Sequence, residues 1–373
     1  NSKIIDTTST YLDPRQVFTG NYWDEFGFTS FLVPNNAKVL MLGLASGGGL
    51  RPLFSATKNI QLKCVDIDTK SIENCRQIFD QNFAKIKFEI ITAEAKKFLQ
   101  DSHDLYDLIW LDLYHTDSYS ELYFDHDFLA LLKIHLGAQG VLAVNAYGLP
   151  TQFKPLSTAS AQRECARRLQ LHFSFVGTIP NRRNQTLLAS TTRPSLHEAQ
   201  PNPALSSLDK LSFYVQGVRL QHLQEIPKLS EIPMDLTVAT KFHELDRQMR
   251  NGWQDVLQTL RFYDVSLNSP MELLDFVQNQ KQCEAFLEKS LLSQNYAAIE
   301  FLPILCAGES YVHDLDVSWI FPLVLKNHHK ISQNQRRHFL QIWLTQLWFL
   351  ILHPSKKYRP YCFQIFALFK ETL

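Results

Sequence analysis

From Lys38 onward, short apolar runs alternate with longer stretches that are apolar on one side only. "KVLMLGL", "IQLKCVDID", "IKFEIITA", "YDLIWLDLY" and "VLAVNAYG" read as five strands, the first covered on both faces and the fourth apolar enough to lie centrally. Between them, "GLRPLFSA" reads as a helix start and "TKSIENCRQIFDQN" as a helix with Ile72, Cys75, Ile78 and Phe79 on one side. "EAKKFLQD" reads as a short helix and "FLALLKIHLGAQG" as a helix ending at glycines. "ECARRLQLHFSFVGTIP" and "NQTLLAST" would complete the sheet with one more helix and a hairpin-like pair. Strand–helix alternation with short links predicts an α/β, Rossmann-like fold, a mostly parallel sheet with helices on both faces.

Near Thr192 the pattern changes. "TTRPSLHEAQPNPALSS" is polar and carries three prolines, so it reads as a crossing between domains. Beyond it the spacing is helical: "ATKFHELDRQMRNGWQDVLQTLRFYD", "PMELLDFVQNQKQCEAFLEKSLLS" and "QNQRRHFLQIWLTQLWFLIL". The expected organisation is an N-terminal segment at 1–37, a Rossmann-like nucleoside-binding domain at 38–195, a linker at 196–204 and an all-helical C-terminal domain at 205–373. The run Phe339 to Leu352 is about 14 residues with two Gln, short of the about 20 that span a bilayer, so it reads as a buried helix.

In an open parallel sheet, ligands sit beyond the carboxyl ends of the strands. The first strand ends at Gly43, and Ser46, Gly47, Gly48 and Gly49 follow, where small residues allow close approach of a ligand. The second strand ends in Asp66-Ile67-Asp68, about 20 residues past the glycines, where a carboxylate can accept both hydroxyls of a ribose. Glu94 follows the third strand and could hold an adenine amino group. Asp112 follows the fourth, over the site centre, with Tyr114, His115 and Asp117 close behind. Each acid alone has an ordinary structural explanation, such as a helix cap. The glycine turn and these acids together, at the ends of four successive strands, point to a nucleoside-type ligand.

These stretches resemble the spermidine synthase family, which has an S-adenosylmethionine-type Rossmann fold. "TGNYWDEF" resembles its T-x-x-D-E-F, "VLMLGLASGGGLR" its V-L-x-I-G-G-G-D-G-G-x-x-R, "VDID" its E-x-D and "TAEAKKFL" its G-D-A-x-x-F-L. "YDLIWLDLYHTDSY" resembles the Y-D-x-I-x-x-D segment. The resemblance covers about Thr19 to Gly148. It implies cofactor contacts from Gly43, Ser46, Gly47, Gly48, Asp66, Asp68 and Glu94, and catalysis by Asp112 with Asp117, Tyr114 and His115 nearby. It also implies S-adenosylmethionine or its decarboxylated form as the cofactor.

The departures bear on chemistry. Ser46 stands where the family has an Asp, Phe28 and Thr29 where it has Tyr-His, and His115 where it has a second Asp followed by Pro. Serine offers a hydrogen bond and no charge, which suits the carboxylate tail of S-adenosylmethionine at least as well as the bare amine of the decarboxylated form. Two readings stay open: a transferase moving an aminopropyl or methyl group to an amine-like acceptor, and a non-catalytic descendant acting as a scaffold or partner-binding protein. A dinucleotide site would need G-x-G-x-x-G, and "GLASGGG" does not supply it in register.

Composition narrows the partners. Lys plus Arg and Asp plus Glu are 37 each, so no net field draws the chain to nucleic acid or an anionic membrane, and neither is expected as a partner. The six Cys form no CxxC, which fits reduced thiols in a cytoplasmic setting and no structural zinc. His328 and His329 read as solvated surface rather than metal ligands, and the basic residues of "RECARRLQLH" as a solvated helix face. A small amine-like acceptor is the expected partner. A protein partner through the helical domain and a homodimer both stay open.

Overall fold

The computed structural model describes residues 17–19, 22–45, 47–83, 88–115, 117–147, 161–180, 184–221 and 223–242, with a few isolated positions beyond. Chain packing divides into two compact units, residues 1–150 with 156–245, and residues 151–155 with 246–373. The first unit opens with a 3-10 segment, Tyr22–Phe28, and a short helix α1, Thr29–Leu32. These lead into β1 (Ala37–Leu42), α2 (Leu50–Leu53), β2 (Ile60–Asp66), α3 (Thr69–Phe83), β3 (Glu89–Thr92), α4 (Ala95–Asp101) and β4 (Tyr106–Leu111). A two-strand hairpin, β5 (Tyr114–His115) and β6 (Ser118–Tyr119), leads through a second 3-10 segment, Glu121–Phe124. Then come α5 (His126–Ile134), β7 (Leu136–Tyr147), α6 (Ala161–His172), β8 (Phe175–Pro180), β9 (Asn184–Ser190), α7 (Ser207–Gln221), β10 (Gln224–Glu225) and α8 (Leu236–Ala239).

The main sheet runs β3-β2-β1-β4-β7-β9-β8-β10. The first five strands are parallel, and the β9–β8–β10 side is antiparallel. Strand order reverses direction between β1 and β4, so the carboxyl ends of these two strands flank the crevice of an open α/β sheet. Alternation along the strands explains the two cores. Leu40, Leu42, Ile109, Leu111, Leu142 and Val144 pack against α5 and α6 on one face. Val39, Met41, Leu108, Trp110, Val141 and Ala143 pack under the first 3-10 segment, α2 and α3 on the other. The Trp110 indole, which needs a partner once buried, donates to Thr29 Oγ1 at 2.8 Å.

Several local expectations shift. The helix expected through Gly140 stops at Ile134, and "LGAQG" already belongs to β7. A register shift between Tyr106 and Leu108 takes up the extra residues there. Gly140 sits in that shift because a Cβ would come within 2.9 Å of the Tyr106 carbonyl. The face of α6 expected to be solvated is largely buried: Gln162, Arg163 and Glu164 are covered. Arg163 reaches the Ser230 carbonyl at 2.7 Å, and Glu164 pairs with Arg167 and Arg168. A charged helix can be buried this way because each charge finds a partner.

The polar, proline-containing stretch docks on the first unit through Thr57 N–Gln200 O at 3.1 Å, Asn202 N–Ser55 O at 2.8 Å and His197 N–Phe31 O at 2.8 Å. The helix that follows it, α7, lies in the first unit, where an all-helical C-terminal domain was expected to begin at 205. The physical reason is a buried ion pair: Arg219 of α7 donates to Glu25 of the first 3-10 segment, and Thr186 of β9 donates to the same carboxylate. Asp209 of α7 also accepts the Phe18 N–H at 3.1 Å. The apolar run Phe339–Leu352, His328 and His329 lie outside the described residues. Among those described, no helix is long and apolar enough to cross a membrane.

Candidate functional site

The glycine loop turns sharply after β1. Gly43 takes φ +90° and Gly47 φ +79°, and Ala45 between them takes φ 47°, a left-handed conformation costly for a residue with a Cβ. At Gly43 a Cβ would meet the Asp112 carbonyl oxygen at 2.1 Å, so the loop after β1 touches the end of β4 through a position only glycine can fill. A Cβ on Gly47 would meet Cys75 Sγ at 2.6 Å, which seats the loop on α3. Gly48 is half-buried beside it. Ser46 lies outside the described residues.

Asp66 organises this loop. Its Oδ2 accepts the Leu44 N–H at 2.7 Å and the Ala45 N–H at 2.8 Å, and its Oδ1 accepts the Asp68 N–H at 2.8 Å. A carboxylate offers about four lone-pair sites, so roughly one remains for a ligand hydroxyl while these three bonds stand. Ile67, the next residue, is 69% exposed, an apolar surface just past the end of β2.

Asp68 and Glu94 are helix caps. Asp68 accepts the Lys70 N–H at 3.0 Å and the Ser71 hydroxyl at 2.7 Å, which together with the backbone hold its carboxyl below the usual value. Glu94 accepts Lys96 N–H at 2.9 Å and Lys97 N–H at 2.8 Å at the start of α4.

Asp112 is half-buried at the end of β4. Its Oδ1 accepts the Asn145 side-chain N–H at 2.7 Å. Burial pushes its carboxyl up from 3.8 to about 6; the Asn145 bond opposes this and the charge on Asp66 adds to it. Asp66 and Asp112 therefore share one crevice and feel each other. Tyr22, from the first 3-10 segment, faces Asp112 too: burial first and that charge second hold its phenol well above the usual range.

The remaining predicted residues lie on the hairpin. The Tyr114 hydroxyl donates to the Asn145 carbonyl at 2.6 Å and accepts the Tyr147 N–H at 2.9 Å, and burial keeps it protonated. It packs with Tyr119, Tyr123 and Phe242. His115 is exposed on the same hairpin. Asp117 is exposed and pairs with Lys241 at 3.4 Å. The structure thus brings the glycine loop, Asp66 and Asp112 together, sets Tyr114 behind them, gives Asp68, Glu94 and Asp117 other contacts, and leaves His115 exposed. Asn145, Tyr22 and Ile67 were missed, as was Asn184, whose Nδ2 donates to Asn145 Oδ1 at 2.6 Å. A polar residue inside the apolar run "VLAVNAY" was the available signal for Asn145.

Comparison with known proteins adds the following. Residues 26–187 match the family model described as Spermine/spermidine synthase domain. A "Probable polyamine aminopropyl transferase" of Bifidobacterium longum is 28% identical over 127 residues, covering 34% of this chain and 28% of the relative. A "Polyamine aminopropyltransferase" of Clostridium beijerinckii is 26% identical over 163 residues, covering 41% of this chain and 56% of the relative. The match thus spans about half or less of these relatives' own length. Among solved structures, a spermidine synthase in complex with the transition state analogue AdoDATO aligns with a TM-score of 0.40 and 20% identity, covering 46% of this chain and 61% of that one.

Proposed function

We propose that this chain, which carries a Spermine/spermidine synthase domain over residues 26–187, is a transferase. It would move an alkyl group from S-adenosylmethionine or its decarboxylated form to an amine-like acceptor. The observation that carries the reading is the meeting of Asp66, the left-handed glycine loop and Asp112 at the carboxyl ends of β1, β2 and β4. The residues present suit such a ligand. Gly43 and Gly47 let the loop close tightly on β4 and α3 at the strand ends, Ile67 offers an exposed apolar face for a base, and Asp66 can turn a lone pair to a ribose hydroxyl.

When bound, the sulfonium supplies an electrophilic carbon and a thioether leaving group. Asp112 is suited to the acceptor side. As the amine nitrogen bonds to that carbon and the carbon–sulfur pair leaves with sulfur, the nitrogen must lose a proton, and the Asp112 carboxylate accepts it. A carboxyl titrating at about 6 holds that proton better than an ordinary aspartate and is still ionised at neutral pH. Asn145 keeps the carboxylate aimed, and the protonated phenols of Tyr22 and Tyr114 add no competing charge.

The test is turnover. Full-length protein with either cofactor and a set of small amines should yield methylthioadenosine or S-adenosylhomocysteine with the matching alkylated amine, read by mass spectrometry. Asp112→Asn should lower the rate by about 100-fold or more. Absence of both products across the amine set would contradict a transferase. A second reading is a scaffold that has kept the fold. It is favoured by one observation, the three backbone N–H groups already on Asp66. A scaffold would gain no thermal stability from S-adenosylhomocysteine, whereas a ligand at 100 times its Kd adds about 2.7 kcal/mol.

A further inference from the structure

We propose that Asn145 and Asn184 are positioning residues for Asp112: a chain of two amides that fixes one carboxylate oxygen and turns the other toward the acceptor. The inference rests on the reading of Asp112 as the acceptor-side base. Asn184 Nδ2 donates to Asn145 Oδ1 at 2.6 Å, and Asn145 Nδ2 donates to Asp112 Oδ1 at 2.7 Å. The two amides stand on neighbouring antiparallel strands. Asn145 of β7 pairs with Thr186 of β9, and Asn184 pairs with Tyr147, so the amides are diagonal neighbours on one face. Both are 4% exposed, and β7 is otherwise apolar around Asn145.

The direction of the chain is what matters. A flipped Asn145 amide would set its oxygen against the Asp112 carboxylate and its NH2 against the NH2 of Asn184. The acceptor-only Asp112 carboxylate and the Asn184 NH2 together hold Asn145 in the one orientation in which it donates to Asp112. The backbone of Asn145 is held as well: its carbonyl accepts the hydroxyls of Tyr114 at 2.6 Å and Tyr123 at 3.0 Å. An apolar side chain would fill the Asn145 site equally well if only packing were at stake. Among the described residues, the charged and titratable groups facing Asp112 are Asp66 from β2, Tyr22 from the first 3-10 segment, and Tyr114 and Tyr123 beyond β4. Among these groups and the two asparagines, Asn145 is the one that lowers the Asp112 titration.

Asn184 is the place to test this, because in the chain it acts on Asp112 through Asn145. In full-length protein labelled with 13C at aspartate carboxyls, the Asp112 signal is assigned by its loss in Asp112→Asn and titrated in wild type and in Asn184→Ala. The chain predicts an upward shift of the Asp112 midpoint by about one pH unit, because the freed Asn145 amide no longer holds its donor on the carboxylate. Asn184→Asp keeps the shape and reverses the chain by attracting Asn145 Nδ2, so its midpoint should rise at least as far. An unchanged midpoint in Asn184→Ala overturns the proposal, including when Asn184→Asp shifts, since added charge alone would then explain that shift. If Asn184→Ala does not fold, an unchanged midpoint in Asn184→Asp overturns it. The titration needs no cofactor or turnover, so a missing transferase activity and a failed positioning role give different results.

Discussion

Asp112 is held in place at an electrostatic cost, and removing its charge should make the protein more stable. Its carboxyl sits at about 6 in the folded chain against 3.8 for the free group. A folded-state value above the unfolded one means that the folded form binds the proton more tightly. The stability this contributes is fully present below about pH 4 and is lost as pH rises through about 6. Asp112→Asn mimics the neutral acid, and its carbonyl can still accept the Asn145 bond. The ceiling on the gain at pH 8 is about 3 kcal/mol, from a shift of roughly two units at about 1.36 kcal/mol each. Asp112 is only half-buried, so solvent screening reduces this to about 1–2 kcal/mol. For a unit of this size that corresponds to a Tm gain of about 2–8 °C. Thermal melts of wild type and Asp112→Asn from pH 4 to pH 8 should show curves that nearly coincide at pH 4 and separate through pH 5–6. A gain of the same size at every pH, or a loss confined to pH 8, would refute the claim that burial of this charge sets the difference.

Asp66→Ala removes the acceptor for three backbone N–H groups and should destabilise the fold by about 2 kcal/mol, seen as a lower denaturation midpoint. The same change should weaken S-adenosylhomocysteine binding by about 1.5–3 kcal/mol, and equal affinity in both proteins would remove Asp66 from the ligand site. Arg219→Met takes the guanidinium from the buried Glu25 carboxylate and should cost about 3–5 kcal/mol, with most of that recovered in the double variant carrying Glu25→Gln. Urea unfolding of the single and double variants checks it.

The sheet was legible because its central strands, covered on both faces, read as apolar runs, and the links between strands are short. The hairpin-like pair at β8 and β9 was legible for the same reason. Boundaries failed where a local geometry overrode the pattern. α2 is only four residues long, with Pro52 inside it, and β7 begins early at a register shift that Gly140 permits. The polar face of α6 read as solvated because partners such as Ser230 are distant in sequence.

Among the site residues, the strand-end acids were identifiable as candidates, but their contacts were not. The use of Asp66 by Leu44 and Ala45 depends on a left-handed loop that no spacing rule reports. The amide chain behind Asp112 joins residues 33 and 39 positions apart, the first pair brought together by the parallel pairing of β4 with β7 and the second by the antiparallel register of β7 and β9.

Isothermal titration calorimetry of the full chain with S-adenosylmethionine, its decarboxylated form and methylthioadenosine, repeated on Asp66→Ala, asks whether the crevice between β1 and β4 holds an adenosyl ligand. Saturable one-to-one binding of at least one of the three, weakened about tenfold or more in Asp66→Ala, is the predicted result. No binding of any of them to the wild-type chain, or binding that Asp66→Ala leaves unchanged, would contradict it.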